Sequence, residues 1–138
     1  PVRRLIQGIF LNGVQMDQKV NAQFFHANKF ISSKKRTYCI FVPNENVLSQ
    51  SLKENKKIRT MFGIAKVAPG DNYNKTIGRL ISRTNVKEIV LEPKLLDFKQ
   101  SHAEYYVEGT PLIVTFRFNN KSNRVHFISV YNNSYMEY

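Results

Sequence analysis

The sequence predicts an α+β domain dominated by antiparallel strands: a β-rich antiparallel sheet or a small OB-like barrel, with one or two helices. Three observations lead there. Short runs of β-branched and aromatic residues recur along the chain, TYCIFV at 37–42 being the clearest. Asn12-Gly13 and a polar stretch at 119–123 each separate runs that could return antiparallel, which is the pattern of hairpins. Helical periodicity is confined to two stretches, and strands that follow one another with few helices between them pair antiparallel.

Val2 to Leu11 reads as the first strand and Val14 to Val20 as its return, because both central positions of a type I′ turn need φ > 0, which Asn and Gly accept. Gln23 to Ile31 is aromatic and extended, Ser32 to Lys35 its loop, and Thr37 to Val42 the next strand, ended by Pro43, which cannot donate to a ladder. Asn44 caps a helix running to Lys57 with a narrow apolar stripe of Val47, Leu48, Ser51 and Leu52. Met61 to Val67 is a strand in which Gly63 marks a bulge or a close approach. Tyr73 to Arg83 is the best helix, capped by Asp71 or Asn72. Tyr73, Ile77, Leu80 and Ile81 form its apolar, inward face, and Gly78 is tolerated where another backbone comes close. Val86 to Leu91 and Tyr105 to Val107 read as strands, with Pro93 to Gln100 a helical turn between them. Pro111 to Phe118 and Arg124 to Tyr131 form the final hairpin.

The 138 residues amount to one domain, 1–138, and 42% hydrophobic content speaks against intrinsic disorder. No apolar run reaches the 18 or so residues of a membrane span, and one cysteine excludes a disulfide framework, so the expected location is cytoplasmic. The charge is lopsided. Residues 1–87 hold 16 Lys and Arg against four acids, +12, while residues 88–138 hold five against six, −1. That asymmetry points to an anionic partner for the first part of the chain.

Two basic runs stand out, KFISSKKR at 29–36 and KENKKIR at 53–59, and Arg79 and Arg83 share a helix face. The candidate anion-binding residues are therefore Lys29, Lys34, Lys35, Arg36, Lys53, Lys56, Lys57, Arg59, Arg79 and Arg83, with Tyr38 and Tyr73 as candidate stacking rings. His26, His102 and His126 are far apart, Cys39 sits in an apolar strand, and no phosphate loop, nucleophile elbow or metal-ligand spacing is present. The expectation is a non-enzymatic protein with no cofactor, no metal and no membrane partner.

Residues 62–85, FGIAKVAPGDNYNKTIGRLISRTN, resemble an element of small accessory proteins of bacteriophages and prophages of low-GC Gram-positive hosts. Ala65-Lys66, Pro69, Asp71, Tyr73, Gly78-Arg79 and Arg83 occupy its places. Ser82 stands where a small Ala is usual, and the helix stops early, at Thr84-Asn85. The resemblance implies a phage origin more than an activity. Three functions fit: binding of nucleic acid, single-stranded or duplex, through phosphate contacts; host takeover or counter-defence, by binding an acidic host protein or sequestering an anionic nucleotide; and a virion structural role. Homo-oligomers are compatible with each.

Overall fold

The structure is a computed structural model that describes residues 10–11, 14–15, 21–27, 35–67, 72, 74–94, 102–119 and 124–132. Phe10–Leu11 (β1) and Val14–Gln15 (β2) pair antiparallel with Leu11 opposite Val14, so two residues join them, as the Asn12-Gly13 signal requires. The remaining strands form one sheet: Ala22–Ala27 (β3), Arg36–Phe41 (β4), Ile58–Lys66 (β5), Lys87–Pro93 (β6), His102–Val107 (β7), Leu112–Asn119 (β8) and Arg124–Asn132 (β9). They lie in the order β3-β4-β5-β6-β7-β8-β9, every neighbour antiparallel. The result is a seven-stranded meander, curled until it is nearly a barrel, with two helices among the described residues. Pro93, expected to open a helical turn over 93–100, instead ends β6, and Asn119, expected in the turn 119–123, ends β8. The remainder of Val2 to Val20 and residues 28–34, 95–100 and 120–123 lie outside the described residues.

Seven strands impose a seam. With an odd number, the first and last strands run the same way, so antiparallel pairing cannot close the sheet on itself. The Gln23 side chain spans the seam. Its Nε2 donates to the Val125 carbonyl at 2.9 Å and its Oε1 accepts from the Phe127 amide at 2.8 Å. These two groups flank one residue of β9, as the partners of a peptide group in a parallel ladder do. The amide of Gln23 thus stands in for a backbone unit.

Alternation along the strands sorts the side chains. Tyr38, Ile40, Phe62, Leu91, Tyr105, Val114, Phe116 and Phe127 belong to the interior core. Aromatic contacts run through it: Tyr38 lies between Phe25 and Phe62, with ring centroids 6.5 and 5.9 Å away, and Phe116 meets Tyr105 edge-on at 5.8 Å. On the outer face of β4 and β5, Cys39, Phe41 and Met61 make a second, smaller cluster.

The first helix, α1, spans Glu45–Glu54, with Asn44 Oδ1 accepting from the Val47 amide at 2.9 Å. It lies between the end of β4 and the start of β5, where its buried Leu48 joins the interior core and Val47 and Leu52 pack beside it. Ser51, also buried, donates to the Lys56 carbonyl at 2.6 Å and accepts from the Tyr105 hydroxyl at 3.1 Å. Those contacts hold α1 across one end of the barrel. Asn55 closes the helix in the left-handed region, φ 52°, a conformation Asn tolerates. No helix among the described residues is long and apolar enough to cross a membrane.

Candidate functional site

The second helix, α2, spans Lys75–Thr84. Its cap is Asn74, whose Oδ1 accepts from the Ile77 amide at 3.0 Å, rather than the expected Asp71 or Asn72. Asn85 ends it and donates through Nδ2 to the Ile64 carbonyl at 3.1 Å, tying the helix to β5.

The helix lies over the outer face of β4 and β5, and it does so with the face opposite to the expected one. Gly78 and Ser82, one turn apart, are its buried residues. Ile77, Leu80 and Ile81 are 52%, 68% and 43% exposed. The reason is the closeness of approach. A Cβ on Gly63 of β5 would collide with the Ser82 carbonyl and lie 2.9 Å from the Val86 amide nitrogen, and a Cβ on Gly78 would press on the Thr37 side chain of β4. Only small residues fit between helix and sheet, and Ile or Leu would lift the helix off. Gly63 does mark the close approach expected of it, and at Gly78 the neighbour is a side chain instead of a backbone.

Four-residue steps set Lys75, Arg79 and Arg83 along one flank of α2 and Ile77 and Ile81 along another, with Leu80 at the crest. The Arg83 guanidinium stands over the Phe41 ring, 5.7 Å from its centroid. Lys75 and Arg79 approach His26 of β3, whose Nδ1 is 2.9 Å from Thr37 Oγ1. Partial burial first, and then these two cations, hold the His26 pKa below its ordinary value.

The other candidate cations do not join this flank. Lys53, Lys56, Lys57 and Arg59 are exposed at the end of α1 and the start of β5. Lys56 pairs with Glu54 at 2.9 Å, Lys57 with Glu108 at 3.0 Å and Arg59 with Glu88 at 3.3 Å. The Lys56 ammonium holds the Glu54 carboxyl below its usual range, and Glu108 raises the pKa of Lys57. Acids of the second part of the chain thus fold onto the second basic run. Of the first run, Lys35 is exposed, while Lys29, Lys34 and the candidate ring Tyr73 lie outside the described residues.

Two candidates are interior. Tyr38, expected as a stacking ring, is 4% exposed and packed between Phe25 and Phe62; its position in phase with Ile40 turns it inward. Burial raises its phenol pKa. Arg36, two residues earlier on the same face, is 5% exposed, and its Nε has no hydrogen-bond partner. The barrel end that holds Arg36 is the one away from α1. There β5 and β6 part after Phe62 pairs with Lys87, and a cavity of about 250 Å³ opens between them, lined by Phe62, Ile64, Lys66, Lys87, Ile89 and Val107 among others. Cys39 is fully buried, and burial pushes its thiol pKa up to about 11. No group of three or more metal-ligating side chains converges among the described residues.

Comparison of the chain with protein-family models, with curated proteins and with solved structures gives no match.

Both features that sequence reasoning missed left a signal. Gly78 and Ser82 at a four-residue spacing mark a face built for close packing, which the larger Ile and Leu residues outshone. Arg36, Tyr38 and Ile40 are in phase along one strand, so an inward Ile40 implies an inward Arg36.

Proposed function

We propose that this chain is a non-catalytic binding protein that docks through α2 on an acidic protein partner. One observation carries the reading: α2 keeps its three large aliphatic side chains in water beside a row of three cations. Phosphates would engage Lys75, Arg79 and Arg83 but give no reason to leave Ile77, Leu80 and Ile81 uncovered. A partner surface that is apolar with acids at one side satisfies both. Full burial of a Leu or Ile side chain is worth about 1.5–3 kcal/mol before the costs of association are met, so this small patch serves as an anchor. A second copy of the chain seated on α2 by two-fold symmetry would bring like charges together.

The resemblance to phage accessory proteins falls on the segment that contains α2; it implies an origin more than an activity, and of the functions that fit it, binding of an acidic host protein is the one that uses the exposed face of α2. Nucleic-acid binding through an OB-like barrel is the competing reading. It is less supported, because the strands follow a seven-stranded meander where an OB-fold is a five-stranded Greek key, and because three of the expected cations are engaged by acids.

The test is a titration of labelled probes: an acidic amphipathic peptide and a single-stranded DNA oligonucleotide, each with wild type, Leu80→Gln, Ile77→Gln and Arg79→Gln. The peptide is expected to bind, with each substitution weakening it about tenfold, since a truncated anchor or a lost charge contact costs more than 1 kcal/mol. The replaced side chains are exposed, so the fold tolerates the change. Failure of the peptide to bind, or binding indifferent to Leu80, overturns the reading. Tight DNA binding that is steeply salt-dependent and indifferent to Leu80 would establish the competing one.

A further inference from the structure

We infer that His26 of β3 belongs to the docking surface of α2: an acidic side chain of the partner, seated beside Lys75 and Arg79, is also held by His26 as an imidazolium, so that docking takes up a proton. The inference rests on the docking reading above and adds to it a titrating residue on a second element.

Placement comes first. Ala22, Phe24 and His26 alternate onto the outer face of β3, where Ala22 and Phe24 pack against the cluster of Cys39, Phe41 and Met61. In register, His26 stands opposite Thr37 and Ala22 opposite Phe41. Residues opposite one another share a face, and α2 reaches both of these β4 residues, with Gly78 against Thr37 and the Arg83 guanidinium over Phe41. The cations of α2 therefore follow the line where the helix meets β3. Lys75 and Arg79 lie toward His26, and Arg83 lies toward Ala22.

The charges around His26 give it its role. From β4 the Thr37 hydroxyl meets its Nδ1 at 2.9 Å, and Lys35 precedes Thr37 by two residues. From α2 come Lys75 and Arg79. Across the seam Arg124 and His126 of β9 flank Val125, at the Gln23 end of β3. Partial burial first, and then the two α2 cations, keep the imidazole neutral near pH 7 in the free chain. A carboxylate arriving at Lys75 and Arg79 reverses that balance. It offsets the two charges that oppose protonation and adds an attraction of its own. Thr37 Oγ1 can still accept from Nδ1–H of the imidazolium. Lys and Arg hold their charge across neutral pH, so His26 is what makes this contact depend on protons.

The experiment is calorimetric titration of the full chain with an acidic amphipathic peptide free of histidine, at about pH 6 and pH 7.5, in buffers of different ionisation enthalpy so that protons taken up are counted. The peptide carboxylates are ionised at both values. Wild type is expected to take up a fraction of a proton and to bind about threefold tighter at the lower pH, part of the tenfold limit that a one-unit rise in pKa sets. His26→Gln is expected to bind without uptake or pH dependence, and His102→Gln, altered on β7, to keep both. NMR titration of the His26 ring in the wild type gives the same answer without a substitution, its pKa rising by about one unit when the peptide is bound. Binding that needs Leu80 but is equal at the two pH values overturns this inference and leaves the docking reading standing. So does uptake that survives His26→Gln, or a His26 pKa that the peptide does not move. Failure of the peptide to bind at either pH overturns both.

Discussion

Replacing Gly78 with alanine gives opposite signs for the two ways α2 could face. In an exposed helix interior the change stabilises by about 1 kcal/mol. With Gly78 turned to the sheet, the new Cβ presses on Thr37 Oγ1 and lies 3.0 Å from Thr37 Cβ. Overpacking of this kind costs about 1–3 kcal/mol, so subtracting the propensity gain leaves a net loss of roughly 0–2 kcal/mol. Thr37 cannot swing aside cheaply. It is β-branched, it is fully buried, and its hydroxyl is 2.9 Å from His26 Nδ1. We therefore expect the upper half of the range, about 1–2 kcal/mol, which for a domain of this size lowers the unfolding temperature by about 3–10 °C. The assay is thermal and urea unfolding of wild type, Gly78→Ala, Thr37→Ala and the double variant. Thr37→Ala removes the atoms in the way, so the two changes should couple favourably by about 1 kcal/mol or more. A rise in stability for Gly78→Ala alone would refute the packing, and with it the exposure of Ile77, Leu80 and Ile81.

Two further outcomes follow from described contacts. Gln23→Leu leaves the Phe127 amide and the Val125 carbonyl without their partner, so stability should fall by about 1–3 kcal/mol and hydrogen exchange at the Phe127 amide should quicken. Lowering the pH should destabilise the fold through His26. Its folded pKa is depressed, so its contribution is intact above the ordinary value of 6.5 and is lost as pH falls below it, where the unfolded chain takes up a proton the folded site resists. Urea midpoints between roughly pH 5 and 8 should show this slope in the wild type and a shallower one in His26→Gln.

What was legible in the sequence was whatever rests on local rules. Asn44 capped its helix, and the last hairpin has the expected strands, with Leu112 opposite Asn132 and Asn119 opposite Arg124. Strand starts were harder. Ile58 to Thr60 hid inside a basic run, because Lys and Arg on the outer face of a strand look like a solvated loop. The candidate site was the least legible part, for a physical reason. Periodicity reports which residues share a face, but it does not say which face the partner element accepts. For α2 the sheet decided, through Gly63 and Thr37, and it accepted the smallest residues. Likewise a charge count does not reveal that Glu108 and Glu88, 51 and 29 residues away from their partners, lie against Lys57 and Arg59.

The strand order bears on how the chain reaches this structure. Each strand of the meander pairs with the next along the chain, so the sheet can grow hairpin by hairpin, and even the connections that carry α1 and α2 are far shorter than the chain between β3 and β9. The contact between β3 and β9 is different in kind. Gln23 reaches Val125 and Phe127 across 102 and 104 residues. That closure becomes inexpensive only after the intervening strands have formed and curled, which carries the two ends together. The seam is therefore the natural last event of folding and the natural first event of unfolding. Slowing or loosening it should change the rate at which the barrel opens far more than the rate at which its hairpins form.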